Sequence, residues 1–212
     1  MDVERFDELM GLGGLAQNPP EWQFWLEFCE MYLAKHKIKD PIIVELGTLY
    51  GVQKRFYEEL LGARHISVDS NNERTTPDIF GPTEDPATLT KLKDMLGGKP
   101  ITILFIDASH IYSHVSRDFN IYSPLVSDII AFHDTEIGRG SERIKRDKDS
   151  VRFGVWKFWE EMRELSYSGE GQYENTLFLD IRQYRQARRR NSRVGIGVMI
   201  KGGEEENGLK TF

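Results

Sequence analysis

The chain has few of the features that mark secreted, membrane or nucleic-acid-binding proteins. One cysteine, Cys29, occurs in 212 residues, so no internal disulfide can form. No uninterrupted apolar run exceeds four residues, whereas a membrane-spanning helix needs about 20. The first residues, Met1-Asp2-Val3-Glu4, are acidic where a signal peptide would be basic. The 28 basic and 34 acidic residues give a net charge of −6, which disfavours indiscriminate binding to nucleic acid. We therefore expect a soluble cytoplasmic protein with no membrane partner.

A chain of 212 residues fits one well-filled domain, and no internal repeat or low-complexity segment interrupts it. The sequence predicts a helical lead-in over residues 1–40 and one globular unit over residues 41–212. Within the lead-in, glycines and prolines predict irregular backbone over residues 1–20. Apolar residues then recur at helical spacing over residues 21–36, which indicates an amphipathic helix.

From residue 42 onward, short apolar strands alternate with helical patterns. Predicted strands cover residues 42–46, 64–70, 101–107, 128–133, 173–181 and 194–201, and predicted helices cover residues 52–61, 87–96, 112–126 and 151–165. Strands that are apolar on both faces and separated by helices indicate a parallel sheet covered on both sides. The last two strands have no helix between them and predict an antiparallel hairpin. The fold class is therefore α/β: a doubly wound, mostly parallel sheet with a C-terminal antiparallel hairpin.

Two strand ends carry features of a nucleotide-binding site, and ligands in such folds bind beyond the carboxyl ends of the strands. The first strand runs through Glu45 into Gly47-Thr-Leu-Tyr-Gly51, where glycines permit a tight turn and close approach of a ligand. Asp69 ends the second strand, where an acid commonly accepts hydrogen bonds from a ribose diol. The dinucleotide fingerprint G-x-G-x-x-G is absent here, which disfavours a nicotinamide dehydrogenase. A plain strand–helix turn and a solvated aspartate are the alternative interpretations.

Acidic and imidazole side chains follow two later strands. Asp107-Ala-Ser-His110 follows one strand, and His133-Asp134 ends the next. Neighbouring strand ends lie about 5 Å apart, so Asp107, His133 and Asp134 could share one divalent cation with His110 close by. Two carboxylates and an imidazole suit Mg²⁺ or Mn²⁺, which keeps waters for a substrate to replace. The alternative is that the two aspartates only cap the helices after their strands.

These motifs, in this order, resemble those of class I S-adenosylmethionine-dependent methyltransferases. The order is Glu-Leu-Gly-Thr-x-x-Gly, Ser-Val-Asp, Phe-Ile-Asp-x-x-His-x-Tyr-x-x-Val, Pro-Leu-Val and Phe-His-Asp-Thr. It looks most like the metal-dependent branch grouped with cephalosporin-hydroxylase-like, rhamnosyl and macrolide-sugar O-methyltransferases. The later stretches Gly154-Val-Trp-Lys-Phe-Trp159 and Gly195-Ile-Gly-Val198 are also similar to this branch. The similarity covers most of the chain, from Pro41 to Lys201.

The resemblance implies the mostly parallel seven-stranded sheet of Rossmann-like methyltransferases and a role for each of these positions. It implies S-adenosylmethionine as the cofactor, bound by Glu45, Gly47, Thr48, Gly51, Asp69, Ser70, Thr83, Asp85 and Asp107. It also implies Mg²⁺ or Mn²⁺ bound by Asp107, His133 and Asp134, with His110 as a general base. Two positions depart from the family. Pro82 stands where an acid is usual, which assigns the adenine contacts to Thr83 or Asp85, and Val52 stands where a second glycine is frequent.

The chemistry of such a site favours a hydroxyl as the methyl acceptor. A sulfonium methyl group is already activated, so the protein need only align a nucleophile and make it more anionic. Coordination to a divalent cation lowers the pKa of an alcohol, and an imidazole can take its proton. We therefore expect O-methylation of a small molecule, such as a sugar or glycosylated metabolite, with His110 and Asp107 as catalytic residues.

Two other functions are alternatives. Six arginines and no acid lie between Arg182 and Arg193, and they would contact phosphates in an RNA or other nucleic-acid methyltransferase, or hold an anionic small substrate. A solvated connection, pairing with the acidic segment 204–206, or contact with a second subunit of a homo-oligomer also explains this cluster. A non-catalytic S-adenosylmethionine-binding module is the second alternative. The aromatic stripes at residues 22–25 and 156–159 are interpreted as core rather than as a lid over substrate.

Overall fold

The computed structural model of the chain describes residues 1–138, 154–167, 176–181 and 195–202. The helices are α1 (Val3–Gly11), α2 (Pro19–Lys35), α3 (Gln53–Leu61), α4 (Pro86–Leu96), α5 (Tyr112–Tyr122) and α6 (Val155–Tyr167). The strands are β1 (Ile42–Leu46), β2 (Arg64–Asp69), β3 (Ile79–Phe80), β4 (Ile101–Ile106), β5 (Val126–His133), β6 (Leu177–Ile181) and β7 (Ile196–Ile200). Within these ranges, no helix is long and apolar enough to cross a membrane.

The strands form one seven-stranded sheet in the order β3-β2-β1-β4-β5-β7-β6. Strands β1 to β5 pair in parallel, whereas β7 runs antiparallel to both of its neighbours, β5 and β6. The predicted doubly wound sheet with a C-terminal antiparallel hairpin is therefore confirmed. The order of the strands reverses between β1 and β4, and in open α/β sheets this reversal creates a crevice at the carboxyl ends of the strands.

Each face of the sheet carries its own layer of helices. Helices α1, α2 and α3 pack on one face, and α4, α5 and α6 pack on the other. Strand β1 shows the alternation, because Ile42 and Val44 point to the α4–α6 layer and Ile43 points to the α1–α3 layer. The predicted aromatic core is confirmed at Trp22, Trp25 and Trp159, which are among the largest fully buried side chains.

The N-terminal segment is more regular than the sequence predicted, because α1 occupies part of the stretch expected to be irregular. Asp2 caps this helix by accepting a hydrogen bond from the backbone N–H of Arg5. Phe6 and Leu9 are buried in the α1–α3 layer, so packing supplies the stability that a nine-residue helix lacks in isolation. The glycines that suggested irregular backbone lie at its end and beyond it, and Pro19 begins α2 rather than preceding it.

Several other predicted boundaries also shift in the structure. The helix predicted over residues 112–126 ends at Tyr122, because Pro124 lacks the N–H that an α-helix needs, and a 3-10 turn over Ser123–Leu125 follows. Strand β3 has only two residues, too few to show a periodic pattern, yet it pairs in parallel with the end of β2. The arginine cluster at residues 182–193 lies outside the described residues.

Candidate functional site

The carboxyl end of β1 turns sharply through residues 47–51, here called the glycine loop. Gly47, Leu49 and Gly51 all have positive φ angles, of 85°, 49° and 67°. A Cβ at Gly47 would lie 2.4 Å from the Cα of Ala108, so this position requires glycine. The loop after β1 therefore packs directly against the loop after β4, across the strand-order reversal.

Asp69 at the end of β2 fixes the glycine loop in place. Its Oδ2 accepts hydrogen bonds from the backbone N–H groups of Thr48 at 2.8 Å and Leu49 at 3.2 Å. Its Oδ1 accepts a third from the N–H of Asn71 at 2.8 Å. A carboxylate offers about four acceptor sites, so little capacity is left for a ribose. Ser70 is exposed beside it, and the cofactor roles of Thr48, Asp69 and Ser70 stay predictions.

The residues assigned to adenine contacts make structural hydrogen bonds. The Thr83 hydroxyl donates to Asp118 Oδ1 at 2.7 Å, and Asp85 caps α4 by accepting from the N–H of Ala87. Burial raises the pKa of Asp118, although the bond from Thr83 acts in the opposite direction. Adenine recognition by Thr83 or Asp85 stays a prediction.

Glu45 lies deeper than a typical ligand-contacting residue. Its side chain and that of His65 are fully buried, and Glu45 Oε2 lies 3.0 Å from His65 Nε2. Burial raises the pKa of Glu45, and the contact with His65 only partly offsets this. In the structure Glu45 therefore pairs inside the α1–α3 layer, and its predicted contact with the cofactor stays a prediction.

The structure brings the four acidic and imidazole residues at the ends of β4 and β5 together. They are here called the strand-end cluster: Asp107, His110, His133 and Asp134. His133 Nδ1 lies 3.2 Å from Asp107 Oδ1 and 3.3 Å from Asp134 Oδ1. His110 Nε2 contacts Asp134 Oδ2 directly and lies 3.9 Å from Asp107 Oδ1. Asp107, His110 and Asp134 present possible ligand atoms that all lie within 4.8 Å of one another, whereas His133, the predicted imidazole ligand, lies outside this group and contacts both aspartates through Nδ1.

Local backbone features hold the strand-end cluster. Asp134 adopts a positive φ of 63°, which turns the chain sharply at the end of β5. The carbonyl of His110 accepts a hydrogen bond from the N–H of Gly154 at 2.6 Å. A Cβ at Gly154 would lie 2.6 Å from the backbone nitrogen of Tyr112, so glycine permits the start of α6 to approach the loop that carries His110.

Three buried polar residues from α2, α3 and the segment before α2 also reach this site, and the sequence did not reveal them. Gln17 Nε2 donates to Asp107 Oδ2 at 3.1 Å, and Gln53 Nε2 donates to Gln17 Oε1 at 3.2 Å. Glu21 Oε1 lies 3.7 Å from His133 Nε2. One signal was available, since Glu21 precedes Trp22 and lies four residues before Trp25 on the apolar stripe of α2.

Negative charge dominates the electrostatics of the strand-end cluster. Burial disfavours the charged form of the His133 imidazole, but the facing carboxylates of Asp107, Glu21 and Asp134 outweigh it and raise the pKa of His133 well above its usual range. The hydrogen bond to Asp134 raises the pKa of His110 as well. The electrostatic potential at both histidines is therefore negative and favours their protonated form.

Comparisons with known proteins agree with this fold. No family model matches the chain. The uncharacterized protein y4gI of Sinorhizobium fredii (strain NBRC 101917 / NGR234) is 28% identical over 92 residues, which are 42% of this chain and 9% of that protein. MycE methyltransferase of the mycinamycin biosynthetic pathway, solved in complex with Mg and SAH, is 15% identical with a TM-score of 0.55. The match covers 83% of this chain and 48% of MycE, so this chain spans about half of MycE.

A second solved structure matches over more of its own length. The O-methyltransferase TomG of Streptomyces achromogenes, solved in complex with SAM, is 14% identical with a TM-score of 0.58. That match covers 92% of this chain and 86% of TomG. At these identities the likeness establishes the architecture of the chain. The chain has the Rossmann-like fold of class I S-adenosylmethionine-dependent O-methyltransferases.

Proposed function

We propose that this chain is an S-adenosylmethionine-dependent O-methyltransferase that uses Mg²⁺ or Mn²⁺ and acts on a hydroxyl of a small molecule, such as a sugar or glycosylated metabolite. One observation carries the proposal: the glycine loop and the strand-end cluster are contiguous. A Cβ at Gly47 would lie 2.5 Å from the carbonyl oxygen of Asp107. A cofactor seated on the glycine loop would therefore present its methyl group close to Asp107 and His110.

The strand-end cluster fits a divalent cation. Asp107 and Asp134 supply hard oxygen donors, and two imidazoles flank them. The raised pKa values of His110 and His133 report an excess of negative charge, which a cation would also neutralise. We assign Asp107, His133 and Asp134 as the cation ligands. A mixed set of carboxylate and imidazole donors suits Mn²⁺ at least as well as Mg²⁺.

His110 is the residue that we assign to proton transfer. Its side chain is 39% exposed, whereas that of His133 is 9% exposed, so a substrate hydroxyl can reach His110 from solvent. When bound, S-adenosylmethionine supplies an activated methyl group and a divalent cation lowers the pKa of a coordinated hydroxyl. His110 accepts the hydroxyl proton on its imidazole, and Asp134 orients the ring by contacting Nε2. Gln17 fixes the Asp107 carboxylate through its hydrogen bond to Oδ2.

Calorimetric titration with S-adenosylmethionine and S-adenosylhomocysteine, with and without Mn²⁺, tests the cofactor assignment. We expect the wild-type chain to bind both compounds and not NAD. Gly47→Ala should weaken binding at least about tenfold, or 1.4 kcal/mol, because the new Cβ displaces the glycine loop from Ala108. Gly62→Ala is the matched control: Gly62 also has a positive φ, but nothing lies within 4 Å of its Cβ position. A wild-type chain that binds neither compound would contradict the proposal.

Methyl transfer and metal binding, measured on the same variant, then separate the two possible roles of His110, general base and metal ligand. Release of S-adenosylhomocysteine is measured with a panel of hydroxylated sugars and glycosylated small molecules. His110→Ala should lose at least about 100-fold in the transfer rate, the usual contribution of a general base, and should keep its affinity for Mn²⁺. Equal loss of Mn²⁺ affinity would instead make His110 a ligand, together with Asp107 and Asp134.

A further inference from the structure

Behind the strand-end cluster, on the side of α2, two buried polar atoms face each other. Glu21 Oε1 and His133 Nε2 lie 3.7 Å apart, and their side chains are only 1% and 9% exposed. Neither atom has a hydrogen-bond partner among the described residues. Buried polar atoms are nearly always paired, so this pair calls for an explanation.

The other atoms of the two side chains have fixed surroundings. Glu21 Oε2 accepts a hydrogen bond from the N–H of Gly195 at 3.0 Å, and the carbonyl of Gly195 accepts one from the N–H of Thr135 at 3.3 Å. The opposite edge of the His133 ring points its Nδ1 toward Asp107 and Asp134. The imidazole therefore lies between Glu21 on one side and the predicted cation position on the other.

We propose that Glu21 is a positioning residue for this cation site, an inference that rests on the proposed function. A neutral imidazole has one N–H donor and one lone pair. A hydrogen bond from His133 Nε2 to Glu21 places the lone pair on Nδ1, directed between Asp107 and Asp134. Histidine ligands of metals usually donate their second N–H to a carboxylate or carbonyl that fixes the tautomer and the ring orientation. A movement of about half an ångström brings the two atoms from 3.7 Å to hydrogen-bond length.

A purely structural role accounts for only one of the two oxygens of the Glu21 carboxylate, Oε2. Glu21 lies in the first turn of α2, where an acid interacts favourably with the helix dipole, and its Oε2 joins α2 to the start of β7 through Gly195. Neither function needs Oε1 to face an imidazole in a buried position. The orientation of Oε1 toward His133 is what a positioning role explains.

Replacement of Glu21 by glutamine separates the two roles, because the N–H of Gly195 dictates how the new amide is oriented. The amide oxygen must accept from Gly195, since its NH₂ group cannot pair with another donor. The NH₂ group then faces His133 Nε2, which becomes an acceptor, and the ring proton moves to Nδ1. Glu21→Gln therefore keeps the structural bond to Gly195 and reverses the tautomer of His133.

The test is a calorimetric titration of the wild-type chain and of Glu21→Gln with Mn²⁺. We expect the variant to bind Mn²⁺ about 10–100-fold more weakly and to bind S-adenosylhomocysteine without Mn²⁺ as the wild type does. Glu27→Gln is the matched control on the same helix, because Glu27 bonds only to Gln23 among the described contacts. Equal Mn²⁺ affinity in wild type and Glu21→Gln overturns the inference.

Nitrogen-15 NMR of the wild-type chain with Zn²⁺ gives a second, independent test, in which a variant serves only to assign signals. The His133 signals are identified by their loss in His133→Asn. We expect the proton on Nε2 and none on Nδ1, and a proton on Nδ1 overturns the inference. A wild-type chain that binds neither metal overturns it together with the metal part of the proposed function, whereas binding of S-adenosylhomocysteine tests the transferase assignment separately.

Discussion

Two groups of histidine and carboxylate side chains lie in this sheet, and they differ in accessibility and in charge balance. The first is a single pair, Glu45 with His65, and both side chains are fully buried. The second is the strand-end cluster, where two imidazoles meet two carboxylates, with Glu21 as a third acid behind His133. The first group has one acid for one imidazole, whereas the second has three acids for two imidazoles and an exposed edge at His110.

Position along the strands accounts for the difference. Glu45 is paired in register with Phe105, inside the sheet, and its partner His65 stacks on the ring of Tyr57 with centroids 5.3 Å apart. Asp107 comes one residue after β4 ends, where the sheet no longer covers it. The same residue types therefore form a core pair in one place and a site that can recruit a ligand in the other. An accessible excess of negative charge, rather than the mere presence of histidine and acid, distinguishes the strand-end cluster as the candidate functional site.

The largest expected effect comes from disrupting the buried pair of Glu45 and His65. Glu45→Ala leaves His65 buried without its acidic partner, and loss of one partner of a buried pair costs about 3–5 kcal/mol of unfolding free energy. Urea denaturation measures this loss. The double variant Glu45→Met with His65→Leu should recover most of it, because apolar side chains can replace a buried pair at little cost. A single variant as stable as the wild type would show that the pair contributes little to the core.

The second-largest expected effect comes from a substitution in the strand-end cluster. Asp107→Asn removes a proposed cation ligand with little change in shape, and we expect Mn²⁺ affinity to fall at least about 100-fold, or 2.7 kcal/mol. The change in stability should be smaller than for Glu45→Ala, because Asp107 is only partly buried. Asp94→Asn is the matched control, an exposed aspartate on α4 with the same change of charge. Equal losses of Mn²⁺ affinity in both variants would show that the effect comes from long-range electrostatics and not from the loss of a cation ligand.

The same contrast explains what the sequence could predict. A short apolar strand that ends in an acid is a local pattern, so Asp107 and Asp134 could be placed at neighbouring strand ends before the structure was known. Gln17 and Gln53 could not, because their roles depend on how α2 and α3 pack against the sheet. The position of Glu21 on the apolar stripe of α2 indicates that its side chain is buried, but it does not indicate that the carboxylate faces His133.

Strand β3 could not be predicted from the sequence, because it is only two residues long and is defined by its pairing with Val68 and Asp69. Such an element is a product of tertiary packing, which propensity and spacing do not report. Helix α1 is different: Asp2 caps it, and Phe6 and Leu9 form a buried apolar face at helical spacing. Its pattern was present in the sequence, but the glycines that follow favoured a prediction of irregular backbone.

The smallest expected effect is a pH dependence of the unfolding free energy that arises from the strand-end cluster. The folded-state pKa values of His110 and His133 are raised, so their stabilising contribution is fully present below the usual histidine pKa of 6.5 and is lost as pH rises through the folded-state values. Without metal, the unfolding free energy should therefore fall above that pH, by up to about 1.4 kcal/mol per pH unit for each titrating histidine. Urea midpoints measured in EDTA across this range record the slope.

Mn²⁺ should remove much of this slope. A cation that binds an imidazole must displace its proton, so metal binding strengthens as pH rises and offsets the part of the loss that comes from His133, which leaves the stability of the Mn²⁺-loaded chain less dependent on pH over the same range. The two curves then diverge with pH, and His133→Asn should reduce the divergence because one of the competing protons is gone. Parallel curves would mean that proton and cation do not compete at the strand-end cluster. It would then resemble the Glu45–His65 pair, an arrangement that stabilises the fold without recruiting a ligand.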